Sequence, residues 1–449
     1  MLKFSTFLGT SIALCRKAYH GTPLMKLRLL ILALSFSVVQ LNAQFVTGRM
    51  TTSFYGWQGR DVNNAKLNFM RGYETVQLNA TSGNFSFATN LQVSNDFAAN
   101  IGTDPELRLS TLVLKARRIA DLIDVSLGRQ FVFAGVGNGI IDGIDLRSSF
   151  LDGKISVQAY GGYNVYQTRT LSWRKNLIDN AFAGAQVTGA PLENLLVGLS
   201  YMNRRREPDA FTVVKLDSLF DPYLVTMKNT PYEEQYASID ANYGILPNVN
   251  VYGRGDYDLN FERLSRAELN GRVGILPSLS VTADFLHREP RLAYNSIFAV
   301  FNSNSTQEVE GGVEYEVSPG IRTYARYAYV DYTGDNSQRM TLGGTYEFVS
   351  ASFTRNFGFA GELNGLAIQA TYPLPDRIFV PMISAGYGSY KISPDAATND
   401  VLNGSIGLTY RPIPSLSANI QTQYTQNRLY NNDLRVFVSV VYWFGKRFN

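Results

Sequence analysis

The chain has 449 residues, of which 45% are hydrophobic, 17% charged and 13% aromatic, with a formal net charge of +4. The charged share is well under the roughly 25% usual for soluble domains, and a mean hydropathy of −0.10 excludes a bundle of membrane helices. Few charges and many aromatics (27 Tyr and 27 Phe) point to strands with one apolar and one polar face.

The first element is an export signal. From Met25 the chain reads MKLRLLILALSFSVVQLNAQ, with Lys26 and Arg28 before an apolar run from Leu29 to Val39. That run is shorter than the roughly 20 residues a membrane-spanning helix needs. Leu41, Asn42 and Ala43 fit a cleavage site before Gln44. Residues 25–43 are therefore read as a cleaved signal, and residues 1–24 as a surplus extension from an upstream start codon. Segment 1–43 contains Lys3, Arg16, Lys17, Lys26 and Arg28 and no acid, so the chain from Gln44 has a net charge of −1. The basic balance thus gives no support for a nucleic-acid partner. The segment also contains Cys15, the one cysteine, which excludes disulfides and cysteine metal sites after Gln44. No cofactor is implied.

From Phe45 the hydrophobic pattern has period two almost throughout. Segments open near residues 45, 66, 84, 106, 122, 140, 154, 180, 193, 234, 248, 263, 278, 305, 320, 338, 350, 364, 376, 400, 414 and 434. They run about 10 to 13 residues, long for a soluble sandwich but right for tilted membrane strands. In lipid every backbone group must be paired internally, so a spanning sheet must close. The expected fold is an all-β, transmembrane, antiparallel up-and-down barrel of about 22 strands, within a range of 16 to 22. Strand-like sequence from Phe45 leaves no room for the plug domain of an energised siderophore-type receptor.

One early stretch, LGRQFVFAGVGNGIIDGIDLR (Leu127–Arg147) followed by DGKISVQAYGGY (Asp152–Tyr163), resembles a known hairpin. It looks like the "GRQ" strand–loop–strand hairpin of bacterial outer-membrane porin-like and polysaccharide-export-like barrels. The resemblance covers under a tenth of the chain. In those barrels the Arg-Gln pair faces the lumen, which implies a channel that Arg129 faces here. The Gly-rich stretch would turn at the barrel rim, with Asp142, Asp145 and Arg147 near the mouth.

Further along, residues 207–233 form the longest connection, which either folds inward to narrow the pore or covers the outer surface. Next comes a recurring motif. YGILPNVNVYGRGDY (Tyr243–Tyr257) is nearly copied by VGILPSLSVTADF (Val273–Phe285), with weaker versions at Tyr315–Tyr327 and Tyr410–Tyr424. Proline cannot donate to a ladder, so the motif reads as a short turn. Short turns near Pro191, Pro247, Pro277, Pro319, Pro375 and Pro414 alternate with longer connections at 207–233, 289–304 and 392–399. That alternation marks short periplasmic turns and longer outer loops.

The polar faces of the middle strands contain most of the charge. Arg254 and Asp256 share one strand; Arg266, Glu268 and Arg272 the next; Asp284 the next; Glu308, Glu310, Glu314 and Glu316 the next; Arg322 and Arg326 the one after. Acidic strands beside basic ones place opposite charges across from each other. Two readings stand: a transverse field that screens solutes by charge, or a network that packs a polar interior. The single histidine after Gln44, His287, falls with Leu279, Val281, Ala283 and Phe285 on the apolar face, a poor place for a hydrolytic base. The last strand, LRVFVSVVYWF (Leu434–Phe444), resembles the terminal signal read by the barrel-insertion machinery. Together these residues imply a non-enzymatic barrel in outer-membrane lipid that passes small hydrophilic solutes. A scaffolding or assembly barrel is the rival, and an outer-membrane hydrolase a weaker third.

Overall fold

The computed structural model describes residues 44–448 apart from 61–64, 100–103, 167–175, 229, 293–304, 333, 359–360, 394 and 429–431. The expected signal (25–43) and extension (1–24) lie outside the described residues, as does most of the connection 289–304. The strands in chain order are β1 (Phe45–Arg60), β2 (Lys66–Ser82), β3 (Phe85–Asp96), β4 (Glu106–Ile119), β5 (Ile123–Ala134), β6 (Gly137–Phe150), β7 (Ile155–Asn164), β8 (Ala181–Leu192), β9 (Leu195–Arg206), β10 (Phe211–Leu216), β11 (Pro222–Met227) and β12 (Tyr232–Leu246). They continue as β13 (Val249–Asp258), β14 (Arg263–Leu276), β15 (Leu279–Arg288), β16 (Thr306–Ser318), β17 (Ile321–Asp331), β18 (Asn336–Tyr346), β19 (Val349–Gly358), β20 (Glu362–Thr371), β21 (Phe379–Lys391), β22 (Asn399–Ile413), β23 (Leu416–Gln426) and β24 (Asp433–Arg447).

All but β10 and β11 join one 22-stranded sheet in which each strand pairs antiparallel with its chain neighbours, β9 pairing directly with β12. The sheet closes where β1 meets β24, from Phe45 opposite Arg447 to Trp57 opposite Arg435. This is the expected closed barrel. Each expected strand start falls within three residues of an observed one. Several strands are longer than expected, up to 17 residues in β2, because they continue past the apolar band toward the long-connection end.

Alternation decides which face meets lipid. Ile239 on β12, Leu269 on β14, Phe285 on β15 and Val309 on β16 share one face and are exposed on the molecule's outside. Their polar neighbours point into the barrel. At the short-turn end the outer face is ringed by aromatics, with Phe379 stacked on Tyr410 at 4.9 Å and Phe348 edge-on to Tyr372 at 5.1 Å. Amphipathic rings of this kind belong at a membrane–water interface.

The recurring Ile-Leu-Pro motif has a defined geometry. The β12–β13 ladder slips between Gly244 and Leu246, which leaves Ile245 as a bulge before a turn at 247–248. The copy slips between Gly274 and Leu276, and the weaker version between Glu316 and Ser318. The extra residue in each, Ile245, Ile275 or Val317, is exposed at the barrel's rim. A bulge adds twist and ends pairing, and the following Pro needs no ladder partner. The motif is therefore a strand terminator, as its proline predicts.

A charge on the outer face must be costly where the same charge on the inner face is not. Leu269→Arg, halfway along β14, is expected to destabilise the refolded barrel by about 2–4 kcal/mol in reversible urea unfolding from vesicles. Asn270→Arg, one residue on and within reach of Asp284, is expected to change it by less than about 1 kcal/mol. Equal costs would reverse the assignment of faces.

Candidate functional site

The inner face of β12 to β18 is a continuous array of charge. In the β13–β14 ladder Arg254 stands opposite Glu268 and Asp256 opposite Arg266. The ion pairs nevertheless run along the strands. Arg254 Nε donates to Asp256 Oδ1 at 2.8 Å, and Arg266 pairs with Glu268. Asp256 is fully buried and also accepts from Ser238 Oγ at 2.6 Å and from Arg291 at 3.2 Å. Asp284 accepts from the Asn270 amide at 2.6 Å. Farther round, Arg326 reaches Glu314 at 3.2 Å, and Arg272 reaches Glu314 at 2.9 Å. Arg322 and Glu316 form a looser pair at 3.8 Å. Arg339 on β18 bridges Glu308 and Glu310, the latter at 2.8 Å. Half-exposed pairs of this type contribute little stability, about 0–1 kcal/mol each. Their effect is on the field inside the barrel.

Among the described residues, one hairpin narrows the inner space. The β4–β5 ladder stops at Leu112 opposite Arg129, and the β6–β7 ladder stops at Ile141 opposite Asn164. The β5–β6 pairing alone continues to Ala134 opposite Gly137. Between these limits the hairpin leaves the wall and folds inward onto the inner face of β7, β8 and β9. Glycines permit the fold. A Cβ on Gly143 would lie 2.1 Å from the Gly161 carbonyl oxygen, and one on Gly162 would lie 2.5 Å from that of Asp142. Gly128 has φ +120°, which strains any other residue.

The folded tip has a built seat. Val132, Ala134, Val136 and Ile141 pack on Tyr160, Phe182, Met202 and Tyr236, all buried. Burial of each large apolar side chain is worth about 1.5–3 kcal/mol, so several such contributions hold the tip down. Polar contacts fix its position: Val136 N donates to Ser200 Oγ at 2.9 Å, and Arg204 donates to the Asn138 carbonyl while lying over the Phe182 ring. At the base, Arg129 grips Asp142 through two bonds of 2.6 Å. Its third nitrogen, Nη1, donates to the Leu109 carbonyl at 3.1 Å.

The expected charged residues of β13 to β17, from Arg254 to Arg326, all lie on the inner face. Three expectations are corrected. The Gly-rich stretch does not turn at the rim; it enters the lumen. Arg129 and Gln130 do not face the same way, because successive side chains alternate. Gln130 is buried toward the wall, donating to the Ser126 carbonyl, while Arg129 lies on the hairpin's other face. Asp145 and Arg147 pair with each other on the inner wall below the fold, toward the short-turn end, and not near the long-loop mouth. The connection 207–233 contains the separate β10–β11 hairpin, whose Leu219, Phe220 and Leu224 are exposed. His287 is on the outer face, 3.8 Å from Glu289. Sequence reasoning missed Arg204, Arg291 and Arg339, whose partners are remote in the chain.

No known family profile matches the chain, and no curated protein does. Among solved structures, a variant of the ferric enterobactin receptor of Pseudomonas aeruginosa aligns with TM-score 0.57 at 9% identity, over 89% of this chain and 80% of that one. OccAB4 of Acinetobacter baumannii aligns with TM-score 0.40 at 8% identity, over 90% of this chain and 99% of that one. The outer membrane protein opdK of Pseudomonas aeruginosa aligns at 0.40 and 9%, over 89% and 99%. Identities this low extend the likeness to fold alone, and of these three the receptor is the one with a TM-score above 0.5.

The inward fold is testable by cross-linking, since the one cysteine, Cys15, precedes the barrel. Val136→Cys with Ser200→Cys is expected to form a disulfide under mild oxidation, seen as a reductant-sensitive shift in gel mobility. Adding Gly162→Val should lower the yield several-fold by blocking the fold. A wild-type-like yield in the triple variant would remove the glycine contact as its cause.

Proposed function

We propose that this chain is an outer-membrane channel through which small hydrophilic solutes diffuse down their gradients. The wetness of the inner face carries the reading. Arg326, midway along β17, and Arg272, both on the inner face, keep 43% and 58% of their side-chain surface exposed. A lumen packed shut would bury them. A polar, wet interior enclosed by an apolar outer band is the arrangement of a pore.

In this reading Arg254, Arg266, Glu268, Arg272, Asp284, Glu308, Glu310, Glu314, Glu316, Arg322 and Arg326 line the path, while the expected lining residues Asp256 and Arg129 are buried and brace their neighbours instead. The chain reaches the membrane through the signal at 25–43 and the barrel-insertion machinery. Transport involves no covalent step, and His287 on the outer face is badly placed to supply one. A second reading, a barrel that scaffolds partners, is favoured by one observation. The β10–β11 hairpin exposes apolar side chains on both faces and at its tip, where Leu219 and Phe220 sit, and such surfaces mark contact sites.

Planar-bilayer recording separates the two. The refolded protein is expected to give open single-channel currents; a sealed barrel would leave the scaffold. Arg322→Glu with Arg326→Glu replaces two cations by two anions beside Glu310, Glu314 and Glu316. The reversal potential in a KCl gradient should then move toward cation selectivity, the permeability ratio rising several-fold. An unmoved potential would take these residues off the conducting path.

A further inference from the structure

From the loose ion pair at the short-turn mouth of the barrel we infer a site that binds α-amino acids as zwitterions. The inference rests on the channel reading for its role, since it names a solute for that channel, but the site itself is tested apart from conduction. Glu316 and Arg322 stand directly across from each other where β16 turns into β17. Their side chains keep 40% and 78% of their surface exposed and approach only to 3.8 Å. The charges beside them are closed. Glu314 Oε2 takes Arg272 at 2.9 Å, and its Oε1 takes Arg326 at 3.2 Å. Glu316 and Arg322 thus remain as an acid and a base that are adjacent, exposed and weakly joined.

The pair opens on a cavity of about 470 Å³, which Ser280, Tyr324 and Thr345 also line. Tyr324 is placed by a glycine. It stands directly across from Gly343, and a Cβ there would lie 2.5 Å from the Tyr324 Cζ. The ring therefore lies against the wall, and its hydroxyl has no hydrogen-bond partner among the described residues.

Charge pairing selects the ligand. An anion placed on Arg322 would sit beside Glu316, and a cation placed on Glu316 would sit beside Arg322. Either one meets like charge at close range, which is costly. A zwitterion brings both signs: its carboxylate goes to Arg322, its ammonium to Glu316, and no charge is left unpaired. The ligand's two charges must be near each other, because those of the protein are 3.8 Å apart. An α-amino acid has both on one carbon. The hydroxyls of Ser280, Tyr324 and Thr345 add donors for the carboxylate, and the cavity leaves room for the ligand's side chain.

Saturation-transfer NMR on the refolded protein in micelles tests this, because it reads binding without current. Near neutral pH, L-alanine should show saturable transfer. N-acetyl-L-alanine lacks the ammonium, L-alaninamide lacks the carboxylate, and ε-aminocaproate holds the two far apart; each should bind about tenfold more weakly or worse. Glu316→Gln with Arg322→Gln should raise the Kd for L-alanine about tenfold or more. Glu316→Arg with Arg322→Glu, which keeps an acid beside a base, should recover most of the affinity. An unchanged Kd in the glutamine variant, equal binding of N-acetyl-L-alanine, or no transfer to L-alanine would overturn the inference. Binding of L-alanine by a protein that passes no current in a planar bilayer would keep the site and overturn the channel reading. Open currents without L-alanine binding would do the reverse.

Discussion

A backbone amide in hydrocarbon has no water to turn to, and that constraint organises the rest of this molecule. It requires every spanning strand to have two neighbours, and so requires β1 to find β24 across the full length of the chain. Where the sheet gives up its ladder, other groups take over. The hairpin tip has left both flanking strands, yet the Leu109 carbonyl receives Arg129, Val136 N reaches Ser200, the Asn138 carbonyl receives Arg204, and Val165 N bonds to the Ile140 carbonyl. The inward fold is possible because side chains on the facing wall supply the hydrogen bonds that the strands no longer do.

The barrel was legible because its information is local. Period-two alternation, proline at turns and the spacing of segments each act over a few residues, and together they locate the strand starts. The inner-face charges followed from the same parity. The inward fold was not legible, for a geometric reason. Alternation says which residues share a face, but it does not say which space that face meets once a sheet bends. The decisive contact joins Gly143 to Gly161 and Gly162, and it exists only at one ladder register. Gly128, Gly135, Gly137, Gly139 and Gly143 were a visible signal of close approach, but they did not say to what. Arg339 escaped notice similarly, since its carboxylate partners lie two strands away.

The interior divides by chemistry around its circumference. From β12 to β18 it is dense in paired charge; from β19 to β23 hydroxyls and amides predominate; between β5 and β9 it is apolar where the hairpin is seated. Arg254 with Asp256 and Arg266 with Glu268 pair within their own strands, whereas β16, with four glutamates and no cation, is balanced from other strands by Arg272, Arg326 and Arg339. Charge and shape are therefore set by different arcs of the same wall, and each can be altered without disturbing the other.

Bore and frame are separately encoded in this chain. In a simple barrel the width of the passage follows from the number of staves, and changing it means rebuilding the closure. Here, among the described residues, the interior is narrowed by a short segment that leans on a finished wall and contributes nothing to the seam between β1 and β24. Insertions, deletions or exchanges within that segment can retune the aperture while the surrounding cylinder stays the same. The hairpin fills the inner space beside β7 to β9, so it narrows the interior from one side. In the proposed channel, angular position then matters as much as depth for a traversing molecule.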